Sequence, residues 1–391
     1  MTRWILPALF LLINTAVAME PAGAKPIVVH EWGTFTSLQD MDGRTIGGVN
    51  IDDEKLPDFV HRLGTQPGQI FDAGKSLYPG SPSVTMRLET PVIYFYPPHD
   101  EPVTLDVTAT LNSGLLSEFF PDGETTLDGK PSRRSPESIN SKTRGSITWR
   151  NVTLNTPQPA PPATDSHVWL APRNVPAAAG IQVGKEAEKY IFYRGVGHFD
   201  APLTVRRNGE DAINISPTPS FRSEAMWLAD FRADGSAAFR QVSLGDHSAD
   251  FTETNYATEN VAKLRAAMKQ SLISAGLFPD EAEAMLETWK LSYFKSAGQR
   301  VFFMVPQRWT DDVLPLQFSR PVQLTRVMIG RIELVTPPQR EVITRLTDTN
   351  TKLDEATKQE LMQKLGRFAS PLVADVHRQR NRSALELSEA K

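Results

Sequence analysis

Two apolar runs in this 391-residue chain are interrupted by residues that could do chemistry. In PIVVHEWGTFTSL, residues 26–38, His30, Glu31 and Trp32 stand side by side. In YIFYRGVGHFD, residues 190–200, the interruptions are Arg194, His198 and Asp200. Both runs read as β-strands, whose successive side chains point to opposite faces. In the first, Val28, His30, Trp32 and Thr34 share one face, while Val29, Glu31, Gly33 and Phe35 share the other. His30 and Glu31 therefore point apart and do not serve each other as acid and base. They are not a zinc-protease motif either, which needs two His one helical turn apart.

Glu31 sits among apolar neighbours, so it must meet a cation or hydrogen-bond donors, or else be protonated. Arg194, Arg326 and Arg331 are the candidate cations. Such a carboxylate is either half of a buried ion pair that fixes strand register or a functional group. In the second run, Tyr190, Phe192, Arg194, Val196, His198 and Asp200 alternate onto one face, with Gly195 and Gly197 opposite. Two glycines in a strand mark a bulge or a close backbone approach. If the two strands are neighbours, His30 and His198 share a face and Asp200 orients one imidazole. That arrangement suits a divalent metal or acid–base chemistry. The catalytic candidates are thus His30, Glu31, His198 and Asp200, with His30 and His198 as metal ligands. Trp32 and Arg194, with His30, are candidates to line a polar binding patch.

Other signals are simpler. Asp40-Met41-Asp42-Gly43 has the carboxylate spacing that opens a calcium loop, but the later ligands do not follow, and it reads as a turn. Asp311-Asp312 reads as a turn or helix start near Thr310. There is no GxSxG, P-loop or dinucleotide fingerprint. The chain has no Cys, which excludes thiol catalysis, thiolate zinc sites and disulfides.

The elements that must position these residues are strands first and helices late. Residues 26–38, 83–97, 102–111, 145–154, 167–171, 188–199 and 202–206 are short runs rich in Val, Ile, Thr, Tyr and Phe, bounded by Gly, Pro, Asp and Asn. Residues 226–244 read as a hairpin turning at Ala233-Asp234-Gly235. Residues 118–144 read as a long exposed loop, and the proline-rich 155–165 as an extended connector. Val261, Leu264, Met268 and Leu272 then recur at helical spacing, and Pro279 restarts a second helix carrying Ala282, Met285, Leu286 and Trp289. Strands return at 299–306 and 322–337, and helices begin near Pro338, Asp354 and Pro371. The expected fold is mainly β, with antiparallel, sandwich-like sheets, an inserted αα-hairpin and C-terminal helices, α+β overall. The organisation is a β-rich body at 19–250, with the helical hairpin, returning strands and C-terminal helices of 251–391 packed on the same body.

Residues 1–18 read as a signal peptide: Arg3, an apolar run from Trp4 to Ile13, and Ala16-Val17-Ala18 at the cleavage site. That run falls short of the ~20 residues a membrane-spanning helix needs. No later stretch is long and apolar enough to span, so no membrane span is expected after cleavage. Charge is close to balanced, with 42 Lys+Arg against 46 Asp+Glu, and the one basic cluster, HRQRNR at 377–382, reads as a solvated helix face. Nucleic acid is not an expected partner; a small molecule, a glycan or an envelope protein is.

The blocks VVHEWGTFTS, MRLETPVIYFY, FYRGVG, EAMLETW and LPLQFSRP…RVMIGRIELVTP resemble a family of exported bacterial proteins that open their mature region with His-Glu-Trp-Gly-Thr-Phe-Thr. The resemblance runs from about residue 28 to residue 337; Ala-rich VPAAAG at 175–180 departs from it in an expected loop. It implies a bacterial periplasmic or secreted location, and carries over no activity, cofactor or catalytic residue. Two functions follow from the residues. One is a non-catalytic ligand- or partner-binding protein. The other is a periplasmic or extracellular metal-dependent hydrolase centred on His30, His198 and Asp200, with a divalent metal as its cofactor.

Overall fold

Residues Ile27–Gln39 form a thirteen-residue strand in which only Val28 keeps appreciable exposure. It lies in the middle of a sixteen-stranded sheet. The computed structural model of the protein describes residues 25–389, apart from 53–54, 65–76, 158, 208–211, 220 and 246. The expected signal segment lies outside the described residues. The main path of the sheet runs, in space, through Glu186–Glu188, Ile181–Val183, Arg144–Leu154, Gly114–Phe120, Ile191–Gly197, Met86–Tyr96, Ile27–Gln39, Val322–Leu334, Gly298–Val305, Met226–Phe231 and Ala237–Val242.

The opening strand is antiparallel to Met86–Tyr96 but parallel to Val322–Leu334, in register from Ile27↔Val322 to Gln39↔Leu334. The sheet is therefore mixed, where antiparallel sheets were expected. Parallel pairing needs a long crossover, and the whole intervening chain, with its helices, supplies one. Two local expectations also change. Residues 167–171 belong to a helix, His167–Arg173, whose first turn opens with Trp169 N–H and Leu170 N–H bonded to the Ser166 carbonyl. The expected loop at 118–144 contains the short strands Glu124–Leu127 and Lys130–Pro131.

Both faces of the opening strand are covered. Val29 and Phe35 join an apolar cluster with Leu105, Trp149, Leu203 and Ile213, contributed in part by a separate three-stranded sheet of Leu203–Arg207, Ala212–Pro217 and His247–Ala249. On the other face, Trp32 packs in a cluster with Leu264, Met268, Met285 and Tyr293 of the helices Glu259–Ser274, Pro279–Thr288 and Lys290–Phe294. Burying side chains of this size contributes about 1.5–3 kcal/mol each. At the far end, Leu38 joins Ile343, Leu365 and Leu372 of the C-terminal segments. These are the helices Pro337–Thr347, Glu355–Leu365 and Ala369–Glu389. Asp354 caps the second of them by accepting from Thr357 N–H.

The register against Met86–Tyr96 shifts between Trp32 and Thr34, opposite Thr90 with its φ of 44°. Gly33 sits at this irregularity. A Cβ there would lie 3.0 Å from Pro91 Cα and 3.1 Å from Met328 Sδ. Gly33→Ala is expected to destabilise the fold by about 1–3 kcal/mol, the usual cost of overpacking. Urea unfolding measures this, and an unchanged midpoint would show that the Pro91 backbone yields freely.

Candidate functional site

His30 and Glu31 of the opening strand are each held by partners from distant elements. His30 Nδ1 lies 2.8 Å from Glu281 Oε2. Glu281 is the third residue of the helix that Pro279 begins, where a Glu reaches back to the backbone N–H before the helix. It accepts from Phe278 N–H at 2.7 Å and from Tyr96 Oη at 2.7 Å. Burial, then the Glu281 charge, pushes the Tyr96 phenol upward, so it remains a donor. Phe278 and Tyr96 also pack on the imidazole, with ring centroids 4.6 and 5.3 Å away. The cluster pins a helix start to the sheet.

Glu31, on the other face, is wholly buried. Arg326 Nε donates to Oε2 at 2.5 Å, and Tyr193 Oη donates to Oε1. Arg326 is the residue directly opposite Glu31 in the parallel pair. Its Nη1 reaches the half-exposed Asp311 at 2.9 Å. Of the three candidate arginines, Arg326 is thus the partner. Burial and the Glu31 charge hold the Tyr193 phenol well above its usual range, which keeps the donor protonated.

The structure does not bring the other sequence candidates together. His30 is opposite Tyr94, and Gly197, next to His198, is opposite Met86 on the same strand. Eight residues of strand separate those positions, roughly 25 Å. His30 and His198 therefore cannot share a metal or a water, and the arrangement centred on His30, His198 and Asp200 does not form. His198 Nδ1 donates to the Ser83 carbonyl at 2.7 Å, and Asp200 is exposed. Among the described residues, no group of three or more His, Cys, Asp or Glu is placed to hold a metal ion. Trp32 is fully buried, 6.3 Å from Tyr94 between ring centroids, so it lines no patch with His30 and Arg194. Arg194 donates to Thr90 Oγ1 at 3.2 Å and lies 3.5 Å from Asp52 and 3.8 Å from Glu118, beside a small 170 Å³ pocket.

A larger site lies at the far end of the sheet. A cleft of about 760 Å³ opens between the strand ends and the C-terminal helices. Asp230, Gln299, Arg300, Arg331 and Glu333 come from three adjacent strands. The segments 336–339 and 363–368 close it from the helical side, with Asp250, Phe251 and Tyr256 at one flank. Because the cleft wraps the strand ends, residues of opposite faces such as Gln299 and Arg300 both reach it.

Its charges are tied down. Arg300 donates to the carbonyl of Ser292, within the short helix Lys290–Phe294, at 2.6 Å and to that of Ser296, just beyond it, at 2.8 Å. Glu333 accepts from Arg331 Nε at 2.5 Å and lies 3.3 Å from Arg300 Nε. Arg367 spans from the Ile51 carbonyl to Glu89, at 2.7 and 2.9 Å. Asp250 takes Arg207 at 2.6 Å and Gln299 at 2.8 Å. Burial opposes its ionisation, but the Arg207 guanidinium outweighs this and holds it below the usual carboxylate range. Asp230 accepts from Tyr256 Oη at 2.8 Å. Burial pushes Asp230 upward, and the Asp250 charge adds to the shift.

Sequence reasoning missed most of this cleft, although Arg331 was a candidate partner for Glu31. The usable signal was the same as in the opening strand: charged residues inside apolar strand runs, as in MWLADF, QRVFFMV and MIGRIEL.

No family model and no curated protein matches the chain. Among solved structures, the Fcho1 Mu homology domain of Danio rerio with bound Eps15 peptide matches over 80% of this chain and 96% of that chain, at 6% identity and a TM-score of 0.25. So low a TM-score carries no argument about fold or function.

Two predictions follow from the buried charges. Glu31→Gln takes from the Arg326 guanidinium its buried counter-charge and leaves it the half-exposed Asp311, at a cost of about 3–5 kcal/mol. Asp311→Asn removes only a half-exposed partner, at a cost under about 1 kcal/mol. Denaturant unfolding of both variants tests the contrast, and equal small losses would refute it. Glu89 offers a pH test. Burial alone would raise its carboxyl, but Arg367, Arg87, Arg331 and Arg194 hold it at about 2, against 4.5 when unperturbed. A depressed native pKa stabilises the fold fully above the unfolded value and is lost as pH falls through the native one. Stability should therefore fall between pH 4.5 and 2 more steeply in the wild type than in Glu89→Gln.

Proposed function

We propose that this chain is an exported bacterial protein, periplasmic or secreted, that binds a small polar molecule in the cleft beneath its C-terminal helices without transforming it. The observation that carries the reading is the cleft itself. Its volume of about 760 Å³ falls within the ~300–1,000 Å³ typical of small-molecule sites. Its walls are formed by rigid strand ends carrying hydrogen-bonding groups, the kind of support that holds recognition geometry. The non-catalytic part of the reading is supported by the engagement of His30 and Glu31 in separate buried contacts, far from His198 and Asp200. Export is supported by the signal-like residues 1–18. Among the described residues, no helix is long and apolar enough to cross a membrane.

Ala297 is exposed and lines the cleft, so a large side chain there fills space without entering the core. A thermal-shift screen of polar metabolites against the wild type and Ala297→Trp tests the reading. A ligand at a hundredfold its Kd adds about 2.7 kcal/mol to stability. At least one compound should raise the melting temperature of the wild type and fail to raise that of Ala297→Trp. A screen in which no compound separates the two proteins would overturn the proposal.

A further inference from the structure

A second pocket, of about 170 Å³, shares no lining residue with the cleft and gathers five charged side chains: Arg62, Arg87, Arg194, Asp52 and Glu118. Four of them are paired. Arg87 donates to Asp52 and, at 2.6 Å, to the Ile51 carbonyl, while Arg62 Nε donates to Glu118 at 3.0 Å. Arg194 differs. It is 4% exposed, yet its Nη1 finds no hydrogen-bond acceptor among the described residues. The carboxylate oxygens of Asp52 and Glu118 stand 3.5 and 3.8 Å from it, close enough to attract the charge but not to take its hydrogens. A buried N–H group without an acceptor is costly, and native chains rarely leave one.

The backbone is shaped around this side chain. Against Met86–Tyr96 the register of Ile191–Gly197 slips between Phe192 and Gly195, and against Gly114–Phe120 it slips between Arg194 and Gly195. Thr90, on the first of those neighbours, has a φ of 44°, which a β-branched residue rarely adopts. Its hydroxyl accepts from Arg194 Nε at 3.2 Å, and the Phe192 ring lies 5.9 Å from the guanidinium carbon. Bulges beside a strand re-aim its side chains, and both bulges and strained backbone gather at functional sites. With Nε and one face of the guanidinium engaged, the donors left to Arg194 are those of its outer nitrogens.

Those donors call for an acceptor that carries negative charge, and a planar guanidinium matches a carboxylate two bonds at a time. Asp52 and Glu118 limit how much charge can enter. A dianion such as phosphate would lie beside both carboxylates and be repelled, whereas a single charge can be met by Arg194. Leu63, Leu115 and Val196 line the same pocket and suit a hydrocarbon remainder. Its volume lies below the ~300 Å³ at which ordinary ligand pockets begin, so the molecule must be small. We propose that this pocket binds a small organic monocarboxylate through Arg194, at a site separate from the cleft.

Isothermal titration calorimetry on the full exported chain tests this, with acetate and isobutyrate as probes, acetamide and isobutyramide as their neutral counterparts, and inorganic phosphate as the dianion. At least one carboxylate should bind, with its amide and phosphate at least about tenfold weaker, a gap of about 1.4 kcal/mol. Arg194→Lys keeps the charge but loses the planar fork, and should weaken binding about tenfold. Ser135 is half-buried and lines the pocket, so Ser135→Trp fills it without altering a charge, and should abolish binding. Ala297→Trp, in the cleft, should leave it unchanged. An amide that binds as tightly as its acid, phosphate that binds as tightly as either acid, or binding that survives Ser135→Trp would overturn the proposal. So would no binding by either acid. Binding lost in Ala297→Trp and kept in Ser135→Trp would overturn it too, and would move the carboxylate to the cleft, whose own reading stands or falls with the metabolite screen.

Discussion

A strand covered on both faces cannot leave a polar group to water, and that constraint organises this molecule. Ile27–Gln39 carries His30, Glu31, Thr34 and Thr36 into the middle of the sheet, and His30 and Glu31 draw a partner from far along the chain. Glu281 anchors the inserted helices through His30, and Arg326 locks the parallel pair through Glu31. Tyr193 ties in a strand two places away in the sheet. Thr34 meets Tyr293 of the short helix Lys290–Phe294. A buried carboxylate that loses its partner costs several kcal/mol, so these residues specify which elements may pack where, as well as holding them. A one-residue slip of the opening strand would carry Glu31 to the opposite face and strand Arg326.

The same strand explains why the cleft lies where it does. Parallel pairing with Val322–Leu334 makes both strands end at the same edge of the sheet, at Gln39 and Leu334. The chain leaves that edge at Thr336, where a capping threonine starts the first C-terminal helix. Those helices must return over the strand ends, and the space beneath them becomes the cleft. Its walls inherit the sheet's rigidity, while its roof comes from segments whose apolar contacts centre on Leu38, Ile343 and Leu365.

Much of this architecture was legible in the sequence. The opening strand, the turn before Ser236, the helices opened by Pro279 and capped by Asp354, and the mainly β composition all follow from periodicity and turn chemistry. The parallel register did not, because nothing local in VVHEWGTFTS distinguishes a parallel from an antiparallel neighbour. The helix at His167–Arg173 was hidden by its brevity: Val168 and Trp169 fit a strand as well as a helix over seven residues. Arg326 was one of three arginines proposed for Glu31, and only the register selects it. The histidine pair failed for a related reason. His30 lies on one strand flanking Met86–Tyr96 and His198 just past the end of the other, at opposite ends of it, and alternation fixes a face without fixing a position along the strand. The cleft was less legible still, since its residues lie apart in sequence and meet only where strand ends and helices converge.

The charged cleft is itself an argument about purpose. Buried ion pairs are weak contributors to stability, and apolar residues of similar volume in their place are often neutral or stabilising by about 1–4 kcal/mol. Arg300, Arg331 and Glu333 occupy strand positions beside Phe302, Ile329 and Ile332, where an apolar side chain would extend the core and let the helices close down. A sequence shaped by stability alone would fill that space. Here the helices stand off from the strand ends, and the guanidiniums are fixed by carboxylates and carbonyls with no slack to collapse inward. Arginines held in this way keep a polar space open and preserve its shape. A polar cavity whose shape is held by its own ion pairs has an architecture suited to recognising a small polar molecule.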